Sequence, residues 1–130
     1  MDAAGTTVYS YTLGNQILTE DGPFANDVVT STYVNRLRTA LSLQQPTGTW
    51  TNGFGYDSAK RLSNVVSPAG TFTYAYLSGL PSLLVQKLAL PNTSFITNNF
   101  DSVARLLDTS LKNNSGSTTL DSYAYIYDPP

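Results

Sequence analysis

The sequence predicts an all-β protein: an antiparallel meander of successive β-hairpins, strongly twisted and curved, shell- or barrel-like. Three observations predict it. Thr71-Phe72-Thr73-Tyr74-Ala75-Tyr76 alternates strictly, with the aromatics on one face and small residues on the other. Turn signals recur at short intervals, as in Gln45-Pro46-Thr47-Gly48 and Ser67-Pro68-Ala69-Gly70. Finally, Tyr56-Asp57-Ser58-Ala59-Lys60-Arg61-Leu62 returns 44 residues later as Phe100-Asp101-Ser102-Val103-Ala104-Arg105-Leu106. An internal repeat means that the chain is built from copies of one unit.

The elements follow in order. Tyr9 and Tyr11 lie on a leading half-hairpin. Ile17 to Thr19 leads through Asp21-Gly22-Pro23 into Val28 to Tyr33. Leu37 to Leu43 leads through Gln45-Pro46-Thr47-Gly48 into Thr49 to Tyr56, where Trp50, Phe54 and Tyr56 share a parity. Arg61 to Val66 turns at Pro68-Ala69 into Thr71 to Tyr76. Leu83 to Ala89 turns at Leu90-Pro91-Asn92-Thr93 into Ser94 to Phe100. Arg105 to Leu111 turns at Asn113-Asn114-Ser115-Gly116 into Thr118 to Tyr127, with Tyr123, Tyr125 and Tyr127 on one face. The links between hairpins are Leu13-Gly14-Asn15, Val34-Asn35, Asp57 to Lys60, Ser78-Gly79 and Asp101 to Ala104. Links this short force antiparallel neighbours, because a parallel crossover needs a dozen residues or more. About ten or eleven strands result. Helix competes over Tyr33 to Leu43 and over Ser82 to Leu90, but both segments occupy strand positions in the repeat. The unit between the aromatics Tyr11, Tyr33, Tyr56, Tyr76, Phe100 and Tyr127 is about twenty to twenty-five residues.

Composition narrows the function. The 130 residues suffice for one module with a core. Only 12% are charged and the net charge is −2, so no basic patch offers itself to nucleic acid or anionic lipid. With neither Cys nor His, the chain lacks a disulfide framework, a thiolate and the commonest general base. No apolar run reaches the ~20 residues of a membrane helix. Met1-Asp2-Ala3-Ala4 resembles no signal peptide, and the chain is expected to be a segment of a longer array.

The charged motif residues have a structural reading. Asp57 and Asp101 follow a strand and can cap the turn through side-chain-to-backbone bonds. Arg61 and Arg105 can pair with those carboxylates and stack on a neighbouring Tyr. Residues that recur in each unit fit architecture better than an active site, which gathers unlike residues once. No catalytic, cofactor or metal residues are expected. Glu20-Asp21 falls in an expected turn, which makes a paired-carboxylate hydrolase a remote third reading. Asn92-Thr93-Ser94 and Asn113-Asn114-Ser115 match the glycosylation acceptor pattern and are read as turn residues. The aromatic rows are read as cross-strand packing. The alternative is ligand stacking, for a glycan, on Trp50, Tyr74, Tyr76, Tyr123 and Tyr125. A wide meander also leaves two sheet edges, so self-association or closure on itself is expected.

The pattern aromatic-Asp-x-x-x-Arg-Leu followed by a hairpin ending in Tyr-x-Tyr resembles the YD repeat of the RHS family. Its typical form is Tyr-Asp-x-x-Gly-Arg-Leu, a variable stretch, Gly, then Tyr-x-Tyr-Asp. Tyr56, Asp57, Arg61, Leu62, Gly70, Tyr74 and Tyr76 fit it. Phe100, Asp101, Arg105, Leu106, Gly116, Tyr123, Tyr125, Tyr127 and Asp128 form a second copy. Tyr11-Thr12-Leu13-Gly14-Asn15-Gln16-Ile17 and Tyr33 to Leu37 are looser copies. Lys60 and Ala104 stand where the family has Gly. Tyr76-Leu77-Ser78-Gly79-Leu80 keeps only part of the motif. The resemblance implies a β-sheet coiled into a hollow shell, part of a larger secreted or surface protein of bacteria that encloses a cargo. Its partners would be neighbouring repeats of the parent chain. The family's cleavage motif of paired Asp residues is not seen around Tyr127-Asp128-Pro129, and no protease residues are carried over. The runner-up is a surface adhesion or carbohydrate-binding module.

Overall fold

The computed structural model describes residues 5–79 and 82–128. Eleven strands form one antiparallel sheet in sequence order: β1 Val8–Tyr11, β2 Ile17–Asp21, β3 Val29–Val34, β4 Leu37–Gln45, β5 Gly48–Tyr56, β6 Leu62–Ser67, β7 Gly70–Tyr76, β8 Val85–Ala89, β9 Phe95–Phe100, β10 Leu106–Lys112 and β11 Thr119–Ala124. Both segments that could have been helical are strands, since their apolar residues meet aromatic partners on neighbouring strands, as Leu43 meets Trp50 and Leu88 meets Tyr74. The sheet is open, with β1 and β11 as its edges, so closure of the described residues on themselves does not occur.

Three details depart from the sequence reading. β11 stops at Ala124, so Tyr125 and Tyr127 lie past it. β8 starts at Val85 rather than Leu83, and Leu77 N–H donates to Leu84 O at 2.9 Å to close a longer connection. Glu20 and Asp21 belong to β2 rather than to the turn. The expected readings at Met1 to Ala4, Leu80 and Pro129 lie outside the described residues.

Register assigns the faces, because cross-strand partners share one. Tyr9, Glu20, Val29, Leu43 and Trp50 follow one another across five strands. One step along, on the opposite face, run Ser10, Thr19, Thr30, Ser42 and Thr51. The first face continues with Phe54, Val65 and Phe72, then with Tyr74, Leu88, Ile96 and Leu111. The sheet thus has an aromatic and aliphatic face and a face dominated by Ser and Thr. That is the pattern of an antiparallel sheet meant to be covered on one side.

No second layer covers that apolar face among the described residues. Among the described residues no apolar side chain is buried, and Ser31, 6% exposed, is the one buried residue. The chain length suggested a core, but a single layer cannot make one. An apolar sheet face becomes a core only when a second layer packs on it.

Candidate functional site

The two rims of the sheet differ. One carries the turns at residues 12–16, 35–36, 57–61 and 101–105 and the connection closed by Leu77 and Leu84, and we call it the motif rim. Three of its turns share one backbone. Thr12 N–H donates to Gln16 O, Asp57 N–H to Arg61 O and Asp101 N–H to Arg105 O, at 2.9, 2.9 and 3.0 Å. Within each, the fourth residue donates back to the carbonyl of the first. That fourth residue is Asn15, Lys60 or Ala104, with φ of 60°, 62° and 67°. A tight turn followed by a left-handed residue is a standard three-residue hairpin loop, and it explains why glycine suits the position. The turn at Asn35-Arg36 is a two-residue loop with both φ positive, at 50° and 67°.

Side chains lock these turns. Asp57 Oδ1 accepts from Ala59 N–H and Arg61 N–H, both at 2.9 Å. Its Oδ2 takes Arg61 Nε at 2.7 Å. The guanidinium lies 4.3 Å over the Tyr76 ring, and its Nη1 donates to Ser82 O of the next motif-rim turn at 2.8 Å. Asp101 repeats the arrangement with Val103 N–H, Arg105 N–H and Arg105 Nε at 3.0, 2.8 and 2.6 Å, and Arg105 lies 4.8 Å over Tyr127. In both, the Arg backbone N–H bond holds the Asp carboxyl below its ordinary value by favouring the anion. The earlier copy substitutes uncharged groups. Thr12 Oγ1 accepts Gln16 N–H at 3.2 Å, and Gln16 Nε2 donates to Arg36 O of the next turn at 3.0 Å.

Each motif-rim hairpin also carries one extra residue on its second strand. These are Leu18, Thr39, Ser63, Gln86 and Leu107, set by register shifts opposite Tyr11, Tyr33, Tyr56, Tyr76 and Phe100. A bulge disrupts the ladder. The carbonyl just before each extra residue therefore lies beyond the ladder to the following strand. Side chains take these carbonyls. Tyr33 hydroxyl donates to Ile17 O, Tyr56 to Arg38 O, Tyr76 to Leu62 O and Tyr127 to Leu106 O, at 2.9, 2.8, 2.8 and 2.7 Å. Phe100 has no hydroxyl, and Asn98 of the same strand donates its amide to Val85 O at 2.9 Å instead. The latch thus occurs in all five places, with one chemical substitution.

The opposite rim carries the motif glycines. Gly70 has φ +116°, and a Cβ there would sit 2.5 Å from Pro91 Cβ. Gly116 has φ +71°, with the Phe95 ring 3.2 Å from a Cβ. Neither position accepts an ordinary side chain without movement.

The structure thus brings Asp57, Arg61, Leu62 and Tyr76 into one cluster and Asp101, Arg105, Leu106 and Tyr127 into another. Tyr11, on the first strand, has no preceding ladder to latch, and Asp128 is exposed beyond β11. Of the stacking candidates, Tyr76 is committed to Arg61 and Leu62. Trp50 and Tyr123 remain 44% and 61% exposed on the aromatic face, six strands apart, about 29 Å at ordinary strand spacing. Two shallow depressions open on that face. One, of about 290 Å³, is lined by Ile96, Thr109, Leu111, Asp121 and Tyr123. The other, of about 310 Å³, lies among Gln16, Ile17, Glu20, Val29, Ser31, Tyr33, Arg38 and Leu41. At its border Tyr9 hydroxyl donates to Glu20 at 3.2 Å, and the Glu20 charge pushes the Tyr9 phenol above its ordinary value. No cluster of three metal-ligating side chains occurs among the described residues. Nor is any helix long and apolar enough to cross a membrane.

The chain matches no family model and no curated protein.

Sequence reasoning missed the latch carbonyls and Asn98. A signal existed for Asn98. It stands two residues before the one motif position where Phe replaces Tyr, which puts it on the same face.

Proposed function

We propose that the chain is a section of the wall of an RHS/YD-type β-shell, with a structural, encapsulating role and no catalysis of its own. The observation that carries this reading is the duplicated clamp. Asp57, Arg61 and Tyr76 share with Asp101, Arg105 and Tyr127 the carboxylate bonds to the turn, the Nε ion pair and the guanidinium over the ring, and Arg61 alone adds a bond to Ser82 O. Clusters that recur and spend their donors and acceptors on neighbouring backbone act as fasteners. The uncovered aromatic face supports the same reading, since a wall offers one face to an enclosed space. So do five extra residues along one rim, because bulges increase twist and bend strands. The parent protein is then secreted or surface-displayed, and bacterial. Electron cryomicroscopy of the natural full-length product tests this. The expected density shows these strands as consecutive staves of a closed wall with Trp50 and Phe72 facing inward. A compact sandwich, with the aromatic face packed on a second sheet, would contradict it.

The exposure of Trp50 and Tyr123 favours a second reading, a carbohydrate-binding module. Glycan-array binding that is lost in Trp50→Ala or Tyr123→Ala supports it, and array binding unchanged by both substitutions counts against it.

A further inference from the structure

We propose that the depression across β2, β3 and β4 binds a small dipolar ligand, with an ammonium at one end, a carboxylate at the other and an apolar chain between. Ser31 lies at its floor. It is the one buried residue among those described, yet it is polar, and its hydroxyl makes no hydrogen bond to a described group. Buried polar groups are ordinarily paired. Val29 and Tyr33, its neighbours on the same face of β3, are larger, so the small side chain between them leaves a hollow. Ile17, Val29 and Leu41 give the hollow apolar walls.

Opposite charges stand at its two ends. Glu20 pairs with Val29 on β3, and Arg38 pairs with Tyr33, four residues further along that strand and on its other side. Their Cα atoms are thus about 17 Å apart at ordinary strand rise and spacing. Each head group is held by an aromatic side chain rather than by the other charge. Tyr9 hydroxyl donates to Glu20 Oε1 at 3.2 Å, and the Arg38 guanidinium lies 5.4 Å from the centre of the Phe54 ring. Arg61 and Arg105 are each spent on an Asp, whereas Arg38 meets no carboxylate among the described residues. Glu20 Oε2 and the guanidinium N–H groups are therefore open to an incoming cation and anion.

A ligand with a single charge leaves one end unmatched. A dipolar one matches both, and its methylene chain covers the apolar walls. The charges of an α-amino acid sit on one carbon and are too close together, so the ligand carries several methylenes between them. Interior strands build the site, with β1 and β5 described on either side, so it depends on neither end of the sheet. It also stands or falls apart from the wall reading.

The test is an NMR titration of the isotope-labelled 130-residue chain with 6-aminohexanoate, using hexanoate and hexylamine as single-charge controls. The amide signals of Glu20, Ser31 and Arg38 are expected to shift together and to saturate, with both controls at least about tenfold weaker. Glu20→Gln removes the charge while keeping an acceptor for Tyr9, and Ser31→Val fills the hollow with a residue suited to a strand. Each should weaken binding about tenfold. The nearly isosteric Glu20→Gln serves alone if the valine variant misfolds. Shifts that fail to saturate, that the single-charge controls reproduce at equal concentration, or that persist unchanged in the variants overturn the proposal.

Discussion

The clamp at Asp57 and the clamp at Asp101 are built from the same atoms but differ in closure. Arg61 is 24% exposed and reaches Ser82 O in the next motif-rim turn, whereas Arg105 is 48% exposed and reaches no further turn among the described residues. The Asp, the turn and the tyrosine are equivalent in the two. The difference is the presence of a following hairpin. It teaches that each unit completes its predecessor: the local turn fixes the Asp–Arg pair, and the neighbour covers it. The Thr12–Gln16 turn supports this from the other direction. It lacks both charges yet keeps the same backbone and the same reach to the next turn, through Gln16. Backbone geometry is therefore the constant, and the ion pair is one way of holding it.

Four predictions break or sharpen the comparison. The largest effect is expected at the opposite rim. Gly70→Ala combines a positive φ with a contact to Pro91 and should cost about 2 kcal/mol or more in urea unfolding. Gly116→Ala, which meets only the Phe95 ring edge, should cost about 1 kcal/mol. Equal losses would mean that neighbouring turns do not press on each other. Next, Arg61→Lys removes the fork and the ring stacking and should destabilise by about 1 kcal/mol. The same change at Arg105 should fall within about 0.5 kcal/mol, because that group is more solvated. Similar values at both sites would show that closure by the next hairpin adds nothing.

Ala104→Gly should stabilise by about 0.5–1 kcal/mol, since relief of a left-handed φ outweighs the added chain entropy of glycine. A higher thermal midpoint checks it, and Lys60→Gly should behave alike. The smallest effect is pH dependence. Both motif carboxyls are held below the ordinary Asp value, so the stability they lend is complete above that value. It is lost as pH falls through their lowered values, below about pH 4. Thermal melts of an Asp57→Asn, Asp101→Asn double variant should be flatter across that window than those of the parent.

Much of the fold was legible. Alternation in Thr71 to Tyr76 gave a strand and its faces directly, and Pro68-Ala69 marked the turn before it. The strand assignments of Tyr33 to Leu43 and Ser82 to Leu90 rested on position in the repeat, since periodicity alone leaves apolar runs ambiguous. The clamp partners of Asp57 and Arg61 were legible because their spacing is local. The latch was not, because a bulge residue such as Ser63 or Leu107 looks like any other strand residue. Its effect appears only in the register against the neighbouring strand. The end of β11 was misjudged for the same reason. Tyr127 fits the alternation, but its hydroxyl is drawn to Leu106 O and its backbone leaves the ladder. The missing core was illegible too. Alternation says which face is apolar and says nothing of what covers it.

The central claim is that tyrosine hydroxyls hold the carbonyls that bulges release. Tyr76 and Tyr74 are two residues apart on one face of β7, and only Tyr76 donates to such a carbonyl, Leu62 O. Urea unfolding of Tyr76→Phe and Tyr74→Phe tests the claim directly. The account predicts a loss of about 1 kcal/mol for the first and almost none for the second. Equal losses, or no loss at Tyr76, would contradict it.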